Sequence, residues 1–122
     1  MLNKERPFIY LMRVLESIEL IEEYVKDIRN IEEFRNDKKS IDAVLMQLIH
    51  IWETINKFYK KYWNQYILEI PYKNIIWFRN FVAHDYLGIN INIVWNIIKK
   101  ELPKLKAVIK SFLKSNWYNN GL

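Results

Sequence analysis

The chain of 122 residues contains no cysteine, only 2 glycines and 3 prolines, and carries a formal net charge of +5. Its hydrophobic content of 51% excludes an intrinsically disordered chain, the scarcity of glycine and proline disfavours an all-β fold, and the lack of cysteine excludes disulfides and thiolate metal sites. We therefore expect one domain over residues 1–122 in a reducing cytoplasm, without a signal peptide or a membrane span.

Apolar residues recur at three- and four-residue spacing along most of the chain, which is the period of an α-helix. In the first helix this stripe consists of Phe8, Leu11, Leu15, Ile18, Ile21, Val25 and Ile28. The polar segment 30–39 is predicted mainly as a connection, with room for one helical turn at 31–34. Asp37 or Ser40 can cap the second long helix, and Pro103 suits the start of the last one. The predicted helices cover 7–28, 41–62, 72–86, 90–100 and 103–115, and together they form an antiparallel all-α bundle of four to five helices.

The third predicted helix carries a cluster of polar groups: Arg79, Asn80, His84 and Tyr86. At about 100° per residue, Tyr86 projects onto the same line as Arg79, while Asn80 and His84 lie one turn apart. This face is separate from the broad apolar face that should meet the bundle core. We expect it to contact a partner, most simply the same face of a second subunit. A two-fold axis there would bring two arginines and two histidines into one composite site.

These residue types fit metal-independent cleavage of RNA. A neutral imidazole can take a proton from a 2′-hydroxyl, and an imidazolium can protonate the leaving oxygen. The Arg79 guanidinium can bind phosphate oxygens as negative charge builds on them, and the Asn80 amide can hold the imidazole or the phosphate. Attack by the internal 2′-hydroxyl would leave a 2′,3′-cyclic phosphate or a 3′-phosphate.

Each candidate also has a structural interpretation. An isolated arginine or histidine on a helix is more often structural, and a tyrosine such as Tyr86 most often packs at a helix end. His50 is expected to be structural or exposed, because no metal-ligand spacing accompanies it. The aromatic and basic segment 58–63 could stack on RNA or pack as an amphipathic helix end. No phosphate loop, dinucleotide fingerprint or zinc spacing occurs, so we expect no cofactor and no metal.

Lysines make the last two predicted helices basic. They form mostly a solvated face, which could also guide RNA or an acidic partner protein. The lysines concerned are Lys99, Lys100, Lys104, Lys106, Lys110 and Lys114.

The motif residues also carry a resemblance to a known family. The string Arg79-Asn80-x-x-x-His84-x-Tyr86 is similar to the R-x4-H-x-Y signature of HepT-like toxins, which are minimal members of the HEPN superfamily. On the second helix, Trp52 stands where relatives often have glycine and Met46 where they often have arginine. The similarity continues in order along the chain, through Asp42-Ala43-Val44-Leu45, Glu69-Ile70-Pro71-Tyr72, Gly88-Ile89-Asn90 with Val94-Trp95, and Leu102-Pro103-Lys104-Leu105.

The resemblance implies a helical bundle that dimerises and forms a ribonuclease site across the dimer, with Arg79 and His84 catalytic and Asn80 in support. It also implies an MntA-type nucleotidyltransferase antitoxin, bound in a higher hetero-oligomer, that transfers AMP from ATP to the motif tyrosine, here Tyr86. An AMP group there would add phosphate charge and an adenosine on the Arg79 line, and would block RNA from the cleft. Glu53 is then either a partner for Arg79 or a surface charge.

Two functional hypotheses follow. The first is an RNase toxin of a toxin–antitoxin pair that acts on tRNA or mRNA and is restrained by AMP on Tyr86. The second is a non-catalytic helical partner whose motif pocket binds a nucleotide or supports a nucleotidyltransferase. RNA cleavage by the purified chain and by its His84→Ala variant discriminates between them.

Overall fold

A computed structural model describes residues 7–62 and 90–117, and within these two ranges every regular element is helical. This confirms the predicted all-α fold class and is consistent with a HEPN-type bundle. The elements are α1 (Pro7–Val25), α2 (Ile31–Arg35), α3 (Lys38–Tyr62), α4 (Ile91–Asn96), a π-helical turn (Ile97–Glu101) and α5 (Leu102–Trp117).

The two long helices α1 and α3 form an antiparallel hairpin. Near the start of α1, the Tyr10 ring lies 6.1 Å from the ring of Tyr62, the last residue of α3. Further along α1, Ser17 Oγ lies 2.9 Å from Nδ1 of His50 in the middle of α3. Residues near the start of α1 therefore contact the end of α3, and later residues of α1 contact earlier residues of α3, so the two helices run antiparallel.

The helix α5 packs against α1 and completes the described bundle. The Phe8 and Phe112 rings meet edge to face with centroids 6.1 Å apart. Further along α1, Lys106 Nζ of α5 donates to Glu22 Oε1 at 2.9 Å. One apolar core runs between the helices and consists of Leu11, Val14, Ile18, Ile21, Val25, Phe34, Val44, Leu45, Leu48, Ile51, Ile55, Phe58, Val94, Ile98, Leu102, Leu105 and Ile109.

The first helix differs from its prediction in two details. It ends at Val25 rather than near Ile28, and Ile28 is half-buried in the connection that follows. Val14 is fully buried, whereas Leu15, which we assigned to the core stripe, is only half-buried. At about 100° per residue Val14 projects inside the apolar stripe, between Ile21 and Val25, whereas Leu15 projects at its edge.

The segment predicted mainly as a connection contains a short helix, α2. The Asn30 side chain caps it by accepting a hydrogen bond from the Glu33 N–H at 3.0 Å. Phe34 is fully buried, and its ring lies 5.2 Å from the Trp95 ring of α4. A helix of five residues is marginal on its own, so this buried contact, rather than propensity, holds it.

Asp37 caps α3, as one of the two alternatives predicted. The Ser40 N–H donates to Asp37 Oδ1 at 3.1 Å, and the Ser40 hydroxyl donates to Oδ2 at 2.8 Å. Both hydrogen bonds favour the charged carboxylate and therefore lower the pKa of Asp37. The bond from the backbone N–H has the larger effect, and the bond from the hydroxyl comes second. Ser40 itself lies inside the helix.

The predicted break before Pro103 is wrong. Helix α4 begins after Asn90, whose side chain accepts from the Asn92 N–H at 2.9 Å, and the chain stays helical from there to Trp117. In a regular α-helix, the Pro103 ring would clash with the carbonyl of Lys99. The π-helical turn lies directly before this point and widens the helix, so the chain passes the proline without a break.

We predict that Phe34→Ala lowers the free energy of unfolding by about 3–5 kcal/mol, because it leaves a cavity where α2 meets α4. Urea unfolding followed by circular dichroism measures this change. Met46→Ala is the control: its side chain is 67% exposed, and we expect a change within about 0.5 kcal/mol. Equal losses in both variants would contradict the role given to Phe34.

Candidate active site

The candidate catalytic residues Arg79, Asn80 and His84, and the candidate AMP acceptor Tyr86, lie outside the described residues. Their assignments therefore stay predictions. The structure describes the helices on either side of them in sequence, which form the scaffold for the candidate site.

The described residues that flank this segment lie at opposite ends of the α1–α3 hairpin. Tyr62, at the end of α3, is next to Tyr10 at the start of α1. Asn90 caps α4, whose Asn92 side chain accepts a hydrogen bond from Arg35 Nη2 at 3.5 Å, beside the start of α3. The 25 residues of α3 correspond to roughly 37 Å at about 1.5 Å per residue. Tyr62 and Asn90 thus fix the two attachment points of the motif segment about one hairpin length apart.

One face of α3 is exposed and contains Met46, one of the two positions of this helix at which the chain differs from HepT-like relatives. Met46 is 67% exposed, and Glu53 and Lys57 are exposed on the same side of the helix. Trp52, on the border of this face, is half-buried. Glu53 makes no ion pair with any residue of the described ranges, so there it is a surface charge, and its pairing with Arg79 stays a prediction.

His50 was expected to be structural or exposed; it is exposed and also forms a hydrogen bond between helices, with a partner that the sequence gave no reason to single out. Its Nδ1 lies 2.9 Å from the hydroxyl of Ser17, which is only 2% exposed. One turn further along α3, the Thr54 hydroxyl donates to the His50 carbonyl at 2.8 Å. A buried hydroxyl needs a partner, and the imidazole satisfies Ser17 across the α1–α3 contact.

The aromatic residues at the end of α3 pack inward. The Phe58 ring is fully buried and lies 5.9 Å from the Tyr59 ring and 5.7 Å from the Tyr62 ring. Tyr62 in turn contacts Tyr10 of α1. These three rings therefore pack within the bundle, as expected for an amphipathic helix end, and are not arranged as a platform for stacking on RNA. Lys60 and Lys61 are exposed.

Within 7–62 and 90–117, no group of three or more His, Asp or Glu side chains could hold a metal ion. In the same ranges, no helix is long and apolar enough to cross a membrane.

All four acidic side chains that form ion pairs within the described residues belong to α1 and α2. The Arg29 N–H and guanidinium both donate to Glu33. These bonds lower the pKa of the Glu33 carboxyl, and the backbone bond has the larger effect. Such exposed pairs stabilise a fold by only about 0–1 kcal/mol each. The pairs are Lys26–Glu23 at 2.8 Å, Arg29–Glu33 at 2.8 Å, Arg35–Glu32 at 3.5 Å and Lys106–Glu22 at 2.9 Å.

The helical bundle and the motif string together define a class, that of all-α HEPN-type proteins. A family model described as "Ribonuclease HepT-like" matches residues 14–112, which include the four candidate site residues. The chain belongs to the HepT-like ribonuclease family, and its enzyme class is that of a ribonuclease. Comparison with solved structures gives no significant match.

Several curated proteins are similar to the chain. It is 36% identical over 117 residues to a "Gamma-glutamylcyclotransferase and putative RNase" of Methanocaldococcus jannaschii, in a match that covers 91% of this chain and 52% of that protein. The chain thus spans about half the length of this relative. It is 32% identical to a "Putative RNase" of Caldanaerobacter subterraneus subsp. tengcongensis, over 88% of this chain and 95% of that protein. It is also 32% identical to a "Probable ribonuclease HepT" of Thermococcus cleftensis, over 86% and 94% respectively.

Proposed function

We propose that the chain is the toxin of a toxin–antitoxin pair and acts as a metal-independent endoribonuclease on tRNA or mRNA. The observation that carries this proposal is the string Arg79-x4-His84-x-Tyr86 inside the segment that matches the ribonuclease family. The relatives that this chain covers almost completely are named as RNases, which supports the same activity.

In the proposed reaction, the neutral imidazole of His84 removes the proton from a 2′-hydroxyl. The 2′-oxygen then attacks the adjacent phosphorus, while Arg79 binds the non-bridging oxygens on which negative charge accumulates. The bond to the 5′-oxygen breaks, and an imidazolium, that of His84 in the second subunit, protonates this leaving group. The products are a 2′,3′-cyclic phosphate and a 5′-hydroxyl. Asn80 positions the imidazole or the phosphate.

This chemistry needs one base and one acid, and each chain has only one histidine in the motif. The other histidine, His50, is engaged with Ser17 on α1. A homodimer with the motif faces opposed provides the second imidazole and a second guanidinium. For this reason we propose that the site is composite and that the dimer is the active unit.

We further propose that a cognate MntA-type nucleotidyltransferase switches the enzyme off by transferring AMP from ATP to Tyr86. In this transfer the tyrosine oxygen attacks the α-phosphorus of ATP and pyrophosphate leaves. In the predicted helix Tyr86 and Arg79 project onto one line, so the phosphate of the AMP group would pair with the guanidinium and compete with RNA for it.

His84→Ala is expected to lower the rate of RNA cleavage by about 10²–10⁴-fold, because it removes the general acid and base. Arg79→Ala is expected to lower it by about 10²–10³-fold through loss of electrostatic stabilisation. Gel analysis of a defined RNA, with mapping of the 2′,3′-cyclic phosphate ends, measures both effects.

His50→Ala is the matched control for this experiment, because it removes the other histidine of the chain and should leave cleavage intact. Circular dichroism checks that all variants fold. If the wild type cuts no RNA, or if His84→Ala cuts as fast as the wild type, the catalytic proposal is wrong. The chain would then be a non-catalytic partner of a nucleotidyltransferase.

The AMP proposal has its own readout. After incubation with ATP and the cognate nucleotidyltransferase, we expect the intact mass of the chain to rise by whole AMP groups and RNA cleavage to stop. Tyr86→Phe should gain none, whereas Tyr24→Phe, which changes a half-buried tyrosine of α1, should be modified like the wild type. Addition that survives Tyr86→Phe would contradict the assignment of the acceptor.

A further inference from the structure

We propose that three lysines on the exposed face of α5, Lys104, Lys110 and Lys114, form a docking surface for the phosphate backbone of the RNA substrate. We call these residues the lysine face. The proposal rests on the proposed ribonuclease function and adds a binding surface outside the motif.

The three side chains share one side of a regular helix. All three are exposed, and at about 100° per residue they lie within an arc of roughly 120°. Lys104 and Lys114 are ten residues apart, which corresponds to about 15 Å along the helix axis. Between them the exposed residues Ala107 and Ser111 are small, so a nucleic-acid backbone can approach the helix closely.

No acidic side chain of the described residues compensates the charge of the lysine face. Within 7–62 and 90–117, none of the three ammonium groups makes an ion pair, and α5 contains no aspartate or glutamate. The contrast on the same helix is Lys106, which is half-buried and pairs with Glu22 of α1. Lys106 therefore links α5 to α1, whereas the charged groups of the lysine face are exposed to solvent and accessible to a ligand.

The surroundings of the lysine face favour RNA over an acidic protein. Protein interfaces depend on a few apolar or aromatic side chains that fill pockets on the partner, whereas phosphate contacts need only positive charge and polar donors. In the described ranges, the large apolar side chains that are exposed lie on α1 and α3, namely Ile9, Met12, Leu20 and Met46. On α5, Ala107, Ser111 and Ser115 accompany the lysines instead.

The test measures binding of a 20-nucleotide 2′-O-methyl RNA, which has no free 2′-hydroxyl and cannot be cleaved by the proposed route. Fluorescence anisotropy gives its affinity at salt concentrations between about 50 and 200 mM, for the wild type and for a triple variant, Lys104→Gln, Lys110→Gln and Lys114→Gln. Since each phosphate contact to single-stranded nucleic acid contributes about 0.7 to the slope of log K against log salt, we expect the triple variant to lower the slope by about 2. Affinity at the lowest salt should fall by about tenfold or more.

A second triple variant provides the matched control. Lys38→Gln, Lys39→Gln and Lys57→Gln remove the same charge from exposed lysines of α3, which also form no ion pair within the described ranges. This control should keep the wild-type slope. Equal losses in both variants would show that only net charge matters, and an unchanged slope in the α5 variant would show that RNA does not touch the lysine face. Either result overturns the proposal.

Two further measurements, binding of poly-glutamate and cleavage of a dinucleotide, distinguish this proposal from its alternatives. If the α5 variant keeps its RNA affinity but loses binding to poly-glutamate, the lysine face is a surface for acidic proteins, and the proposal is wrong. A dinucleotide substrate is too short to span the roughly 15 Å of the lysine face, so we expect the wild type and the α5 variant to cut it at nearly equal rates. If the wild type cuts nothing but still binds the modified RNA through the lysine face, the catalytic proposal fails while the docking surface stands.

Discussion

The contact between α1 and α3 is the interaction on which the rest of the structure depends. Five residues of α1 are buried in the core, and each buried Leu, Ile or Val side chain contributes about 1.5–3 kcal/mol relative to exposure. The hairpin formed in this way provides the apolar surface on which the short α2, the π-helical turn and α5 pack. The register of the hairpin also places Tyr62 beside Tyr10 at one end, and at the other end Asn92 lies beside Arg35. These contacts place the two described points between which the motif segment is attached.

Periodicity predicts most of this fold, because a helix that buries one face must repeat its apolar residues every three to four positions. It predicts the two long helices to within a few residues. The predicted stripe omitted Val14, which projects inside it and is buried, and included Leu15, which projects at its edge and is half-buried. The helix α2 was underestimated for a different reason, since its stability comes from Phe34 against Trp95, a contact between residues far apart in sequence. At Pro103 the local rule for proline predicted a break, but the π-helical turn before it accommodates the ring.

The candidate site shows the same division between local and distant information. The four-residue spacing of Asn80 and His84 predicts that these two side chains are neighbours on one helix, because residues one turn apart lie side by side. The role of His50 could not be read from sequence, because its partner Ser17 lies 33 positions away and meets it only in the observed register. The proposed composite site cannot be predicted from periodicity within one chain, because half of its groups would belong to a second chain.

The central claim is that RNA cleavage requires two copies of the chain. The most direct measurement determines the molecular mass by light scattering and the cleavage rate per chain at the same series of concentrations. We expect the mass of two 15.0 kDa chains wherever cleavage is full, and a cleavage rate that falls on dilution in step with the fraction of dimer. A chain that is monomeric throughout the series and cuts RNA at an undiminished rate would contradict the composite site.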